Sequence, residues 1–396
     1  MTLVQIGAGN IGRSFVGQLF ARAGYEVVFI DVVDEVVAAL NERRCYTVEI
    51  RDEHPESIQV RNVRAIHGRD MEAAAGALAA ADIAATAVGP GALRFIYPTI
   101  ARALVLRNER GAAPLDIIIC ENLRGAARAF AEGLKPLLPE GFPLADSVGL
   151  VETSIGKMVP IMTEEQRRTD PLLVYAEAYN TLICDACAFR NPIPEVPGLL
   201  PKANMRAYVD RKLFVHNLGH ALTAYLGHVR APGAVFVWQA VEDERVGPSV
   251  RAGMWESGRA LIAEYPAEFS ETDMGEHIDD LLRRFRNRAL GDTVFRVGRD
   301  VQRKLSREDR VIGSLLLDAS HGVPAPETTR CAAAALCFRA TDEHGRMFPA
   351  DEEFAGILRE RGPEHVLETV CGLRPARSPD REVMRDVLVE YARLTS

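Results

Sequence analysis

Apolar runs of strand length alternate with helical spacings through the first half of this chain. Residues 3–6 form a short apolar strand, and residues 11–23 place apolar side chains three and four apart, the spacing of one buried helix face. Gly24-Tyr25 turns the chain into a second strand at 26–30, and helical spacing returns at 33–43. Further strand-length runs at 82–88 and 115–120 are each followed by Gly, Pro, Glu or Asn. Residues 71–88 look apolar but are mostly alanine and include Asp82, so they predict a helix followed by a strand, not a membrane span. Strands alternating with helices predict an α/β, doubly wound, mostly parallel sheet of Rossmann type. Less regular segments at 145–160 and 172–185 read as strands appended to it.

Asn191-Pro-Ile-Pro-Glu-Val-Pro-Gly198 breaks both helix and sheet pairing and reads as a linker. Beyond it the patterns are nearly all helical: 205–226, 249–265, 278–288, 314–320, 327–339, 351–360 and 380–394. The expected organisation is a Rossmann-type domain at 1–198 and an all-helical substrate domain at 199–396. A length of 396 residues agrees, since single cores rarely grow much past ~250–300 residues.

Composition narrows the class. With 47% hydrophobic and 26% charged residues the chain is globular, and its net charge of −8 supports neither nucleic acid nor an anionic membrane as partner. Seven scattered cysteines suit reduced thiols. The first strand begins within a few residues of Met1, so no targeting segment is expected and a cytoplasmic location follows. The pattern carries no signal of oligomeric state.

The first loop carries chemistry. Gly7-Ala8-Gly9-Asn10-Ile11-Gly12 follows a strand and opens a helix, the context that gives a glycine repeat meaning. Gly7 permits the tight turn, Gly9 lets a pyrophosphate approach the backbone, and Gly12 lets helix and strand pack closely. The helix N-terminus offers N–H groups and partial positive charge to phosphates. Asp31 ends the second strand, 19 residues after Gly12. A carboxylate there accepts from both ribose hydroxyls and repels a 2′-phosphate, which predicts NAD rather than NADP. Thr86-Ala87-Val88-Gly89-Pro90-Gly91 leaves the fourth strand where such loops lie over the cofactor, adding Val88, Gly89 and Pro90 to the expected cofactor set.

A second constellation lies in Lys212-Leu-Phe-Val-His216-Asn217-Leu-Gly-His220. At about 100° per residue, Lys212 stands at ~0°, His220 at ~80° and Asn217 at ~140°, so all three can line one wall. Alcohol oxidation by hydride transfer needs a base for the hydroxyl proton and donors for the oxygen as charge builds. Lys212 suits the base; a lysine in water titrates near ~10.4, and lowering it to neutrality by burial costs roughly 4 kcal/mol. Asn217 suits the donor and His220 the group that orients a hydroxyl. Asn122, just past the 115–120 strand, is a second donor at the carboxyl end of the sheet, where such sheets bind ligands. Two plainer readings stand beside these: a snorkelling lysine on an ordinary amphipathic helix, and Asn122 as the cap of the next helix. No metal is expected. His216 and His220 lack an HExxH glutamate, and Cys184-Asp-Ala-Cys187 lacks both further ligands and a thioredoxin-like setting.

The K-x4-N-x2-H pattern at Lys212, Asn217 and His220, with Gly-Ala-Gly-Asn-Ile-Gly-Arg at Gly7–Arg13, resembles the polyol-specific long-chain dehydrogenases. Matching segments run nearly end to end, through Thr86-Ala-Val-Gly-Pro, Cys120-Glu-Asn122, Arg211-Lys-Leu-Phe, Arg296-Val-Gly-Arg299 and Arg303-Lys-Leu-Ser306. The resemblance implies a zinc-independent NAD enzyme with Lys212 as base, Asn122 and Asn217 around the oxyanion, and His220 on the substrate hydroxyls. It also implies that Arg296 and Lys304 reach the substrate; by position alone they read as solvated surface charge. Two departures stand out. Ile155-Gly156-Lys157-Met-Val-Pro160 lies where the family usually has an Asp-Arg pair, and Leu182 lies where a tryptophan is usual.

The expected activity is interconversion of a polyol phosphate and a ketose phosphate with NAD, mannitol 1-phosphate and fructose 6-phosphate foremost. Arg296, Lys304, Arg124 and Lys157 are the cations available to the phosphate. Alternatives are the same chemistry on an unphosphorylated polyol or a hexuronate, and an NAD-binding sensor that has lost catalysis.

Overall fold

The computed structural model describes residues 1–160, 162 and 164–396, and the chain divides into two compact units, Met1–Val209 and Asp210–Ser396. In the first unit the described strands are, in chain order, β1 (Thr2–Ile6), β2 (Glu26–Asp31), β3 (Cys45–Ile50), β4 (Glu56–Arg61), β5 (Val63–His67), β6 (Ile83–Thr86), β7 (Leu115–Ile119), β8 (Val148–Ser154), β9 (Val174–Ala176), β10 (Leu182–Asp185) and β11 (Leu199–Lys202). The main sheet runs β11-β10-β8-β7-β6-β1-β2-β5. Its six strands from β5 to β8 are parallel and follow the dinucleotide-binding order, with the reversal between β1 and β6.

Side chains alternate across the central strands and feed two cores. Leu3, Val27 and Phe29 enter one hydrophobic cluster with Phe15, Phe20 and Leu40; Val4, Ile6, Val28 and Ile30 enter the other with Leu78, Ile100 and Phe130. That is the strand period of two, buried on both faces because helices cover both. Phe15, Phe20 and Phe29 are each fully buried, worth about 1.5–3 kcal/mol apiece in transfer free energy.

Two sequence expectations change here. Residues 145–160 were expected to append a strand, but β8 is the sixth parallel strand of the body, paired with β7 from Leu115↔Val148 to Ile119↔Glu152. Its Glu and Thr at 152 and 153 interrupt the apolar run that marks the inner strands. Of the segment 172–185, β10 does extend the sheet, antiparallel to β8. β9 instead joins β3 and β4 in a separate three-stranded sheet. The first unit also runs on past residue 198 to Val209, because β11 pairs parallel with β10 beyond the proline-rich segment.

The second unit is helical in its described residues. Its axis is a helix that widens into a π turn at Lys212–Asn217, near the start of the unit, and continues as Leu218–Arg230. Nine of the ten residues from Leu218 to Gly227 are buried, all but His220, as befits a helix surrounded by others. Helices Val237–Glu242, Gly247–Glu264, Val294–Gly298 and Pro326–Leu336 pack around it. No helix among the described residues is long and apolar enough to cross a membrane.

Candidate active site

In the first unit three adjacent strand ends are knitted into one surface. Gly7 leaves β1 at φ +93°, and a Cβ on it would stand 2.5 Å from Ala87 O in the loop after β6. A Cβ on Gly12 would stand 2.0 Å from Gly7 O, so only glycine lets the helix start that close to the turn. Gly9 differs: nothing lies within 4 Å of its missing Cβ. That open face fits the pyrophosphate of a dinucleotide, and Gly7–Gly12 would hold it there. Asp31 closes β2 beside this turn, Oδ2 accepting from Ala8 N–H at 2.6 Å and Oδ1 from Val33 N–H at 3.0 Å. Arg13, only 7% exposed, donates from Nε to Ala8 O at 2.6 Å and from Nη1 to Pro171 O at 2.8 Å. The Ala8 peptide is thereby held at both its N–H and its carbonyl.

The loop carrying Val88, Gly89 and Pro90 is pinned by a residue the sequence did not single out. Glu121, buried at the end of β7, accepts from Val88 N–H at 2.9 Å and Gly89 N–H at 2.7 Å. Burial pushes its pKa up, and these hydrogen bonds oppose the shift. Asn122 follows, exposed at the carboxyl end of β7. It is not the cap of the next helix: Gly125 occupies the N-cap of Ala126–Leu134, and Glu152 accepts from Ala127 N–H at 2.8 Å. The capping alternative for Asn122 therefore falls. At the family departure, the Tyr179 hydroxyl lies 3.5 Å from where a Gly156 Cβ would stand. Lys157 is buried and donates to Tyr179 O at 2.8 Å and Asn180 Oδ1 at 3.0 Å.

The second unit carries Lys212, Asn217 and His220 on its axial helix. The π turn alters the expected wheel. Lys212 and Asn217 are five apart, and a π turn closes its hydrogen bonds from i to i+5, so the wider turn brings Asn217 back nearly over Lys212. The three side chains share a face more tightly than an unbroken α-helix would allow. Among the described residues the Asn217 amide makes no hydrogen bond, which leaves it able to donate to an oxygen. His220 is stacked on Phe285 with ring centroids 4.2 Å apart, and its Nε2 is enclosed without a described partner. Gly219 makes that stack possible, since a Cβ there would meet Phe285 Cε2 at 3.1 Å. His216 lies buried one turn away, its ring 5.1 Å from that of His220.

The electrostatics of this face make it easier for a lysine to lose its proton. Burial and then the Arg310 charge lower Lys212 to about 8, opposed by Asp309. Burial lowers His220 to about 3, helped by Arg310, Arg284, Arg296 and Lys304, so its ring is neutral. Lys304, 5% exposed, falls to about 7 by burial and then by Arg310 and Arg303. Its ammonium donates to Arg299 O, and Arg296 pairs with Asp292. Arg310 and Asp309 were not singled out by the sequence, where Ser306-Arg-Glu-Asp-Arg310 reads as a solvated charged turn. Only their burial distinguishes them. Among the described residues no group of three or more His, Cys, Asp or Glu is arranged to hold a metal ion.

Residues 1–198 match the mannitol dehydrogenase Rossmann domain, and residues 204–371 match the mannitol dehydrogenase C-terminal domain. The chain belongs to the mannitol dehydrogenase family. It is 36% identical over 392 residues to mannitol-1-phosphate 5-dehydrogenase of Brevibacillus brevis, covering 98% of this chain and 97% of that protein. Two solved structures share the family fold at 16% identity. Pseudomonas fluorescens mannitol 2-dehydrogenase, in a ternary complex with NAD and D-mannitol, aligns with a TM-score of 0.75 over 100% of this chain and 92% of its own. A D-sorbitol dehydrogenase in substrate-free form aligns with a TM-score of 0.82, covering 100% and 93%.

Proposed function

We propose that this mannitol dehydrogenase family member interconverts a polyol phosphate and a ketose phosphate, most specifically mannitol 1-phosphate and fructose 6-phosphate, with Lys212 as the general base and no metal. As a member of the family it is an NAD-dependent polyol dehydrogenase. The observation that carries the mechanism is Lys212 itself: an amine lowered to about 8, placed by a π turn on one face with Asn217 and His220. The finer substrate assignment is supported by the relative at 36% identity across both domains.

When bound, the dinucleotide supplies hydride acceptance and return. The open face over Gly9 and the Asp31 carboxylate would hold it, and a 2′-phosphate beside Asp31 would meet like charge. In the oxidative direction neutral Lys212 takes the hydroxyl proton, and in the reductive direction its ammonium returns one to the oxygen. Asn217 donates to the oxygen as it gains negative charge, a role the family resemblance also gives to Asn122. The neutral His220 ring holds a substrate hydroxyl through its unshared Nε2. Arg296 and Lys304 provide positive charge on the substrate side.

The test is a panel of fructose 6-phosphate, fructose and fructuronate, followed by NADH absorbance. Fructose 6-phosphate is expected to be reduced with the highest kcat/KM, and Lys212→Ala to abolish turnover while NADH still binds. Preference for fructose or fructuronate overturns the substrate assignment. A protein that binds NADH and reduces nothing in the panel is a sensor.

A further inference from the structure

Among the cations of the helical unit, Arg310 combines near-complete burial with hydrogen-bonding capacity left unspent. It lies in the turn between helices Val301–Lys304 and Ile312–Ser320 and is only 9% exposed. The turn is rigid: Gly313 N–H donates to Asp309 O at 2.8 Å, and Ser314 Oγ donates to Arg310 O at 2.6 Å. One edge of the guanidinium is used, Nε donating to Asp309 Oδ1 at 2.8 Å. Its two terminal nitrogens donate to no described residue. Of the other candidate cations, Arg296 pairs with Asp292, Lys304 donates to the Arg299 carbonyl, and Lys157 donates to Tyr179 and Asn180.

The position is set by packing. Phe214, inside the π turn that carries Lys212, lies so close to Gly313 that a Cβ there would stand 2.8 Å from its Cε1. The Arg310 turn therefore abuts the Lys212 turn within one compact unit. The nearby carboxylate, Asp309, is shared between Arg310 at 2.8 Å and Arg303 at 3.3 Å. An arginine stays charged at any working pH, and enclosed positive charge that shares its carboxylate is costly until an anion balances it. A free polyol brings no charge; a phosphate monoester brings nearly two, with oxygens spaced for the fork of a guanidinium.

We propose that Arg310 anchors the phosphate of the substrate through its terminal nitrogens and so sets the preference for phosphorylated over free polyols. This rests on the polyol-phosphate reading above and assigns it to a residue outside the Lys-Asn-His pattern.

The experiment compares kcat/KM for mannitol 1-phosphate and for mannitol, with saturating NAD, in the unmutated enzyme, Arg310→Met and Arg310→Lys. Taking the ratio of the two substrates cancels any change in Lys212, which both share. Arg310→Met is expected to lower the ratio by at least about 30-fold, and inorganic phosphate should compete with mannitol 1-phosphate in the unmutated enzyme far more strongly than in this variant. Arg310→Lys, which keeps the charge but loses the fork, is expected to lower the ratio about fivefold and decides the matter if the methionine variant does not fold. Ratios within about twofold of the unmutated enzyme in the variants that fold would overturn the proposal while leaving the activity standing. An unmutated enzyme that uses fructuronate and neither mannitol compound would remove the substrate reading itself.

Discussion

Phe214 closes on Gly313 with no room for a side chain between them, a Cβ at 313 standing 2.8 Å from the ring's Cε1. This contact couples the turn that carries Lys212 to the turn that carries Arg310, whose charge lowers the Lys212 pKa. Gly313→Ala must displace the ring, at a cost of about 1–3 kcal/mol. The expected outcome is a lower Tm and a reduced kcat with NADH affinity unchanged, since Gly7–Gly12 and Asp31 belong to the other unit. Calorimetry and a fluorescence titration of NADH check both halves.

The pH profile should report Lys212. With Lys212 as the proposed base, the neutral amine is the active form in the oxidative direction, so kcat/KM is expected to rise as pH climbs through about 8 and level above it. The reverse reaction falls across the same range. The two neighbours of opposite sign should move this limb in opposite directions: Arg310→Met removes the charge that lowers the lysine and shifts the limb upward, whereas Asp309→Asn removes the charge that raises it and shifts the limb downward. Shifts of the same sign would mean that the limb belongs to another group.

Glu121 holds the loop over the expected cofactor site through two backbone N–H groups. Glu121→Ala leaves both unpaired in a partly enclosed place, each worth about 1–3 kcal/mol. KM for NAD should rise about tenfold or more with KM for the polyol little changed, and Glu121→Gln, which can still accept one bond, should fall between. Steady-state kinetics at varied NAD measures this; an equal rise in both KM values would point to general unfolding.

Asp318 tests the helical unit by its stability. It is fully buried, one oxygen has no described partner and the other takes a 3.3 Å bond from Ser257 Oγ. Burial and then the nearby Glu256 push its pKa well above the usual carboxylate range. Stability from the neutral acid is complete below the unfolded pKa of ~3.9 and is lost as pH rises toward the folded value. Asp318→Asn cannot ionise. Its Tm should therefore fall less than that of the unmutated protein between pH 5 and 9, with a gap at the upper end of a few degrees per kcal/mol for a unit of this size.

The class of fold and the class of enzyme were legible in the sequence because the motifs behind both rest on local rules. Gly7, Gly9 and Gly12 are spaced by what a strand-turn-helix demands, and Lys212, Asn217 and His220 by helical periodicity. It did not carry β3, β4 and β5, since strands such as Glu56–Arg61 show one face to solvent and hold few apolar residues. β8 reads in the sequence as an appendage because Glu152 and Thr153 blur its apolar run. Arg310, Asp309 and Glu121 were illegible for a different reason. A charge is written the same way whether it ends in water or inside a fold, and only the three-dimensional packing of Phe214 and Gly313, or of the β6 and β7 ends, tells which.

The π turn at Lys212–Asn217 has a consequence for how this helix tolerates change in length. Such a bulge amounts to one extra residue lodged in a continuous helix. Deleting one residue between Lys212 and Asn217 would let the segment relax to regular winding, with the two then four apart and about 40° from one another. Lys212 would stand seven residues from His220, about 20° away, and the helix on either side would keep its phase. An inserted residue would instead swing everything before it by about 100° and turn Lys212 from the other two. This face can give up a residue; it cannot take one.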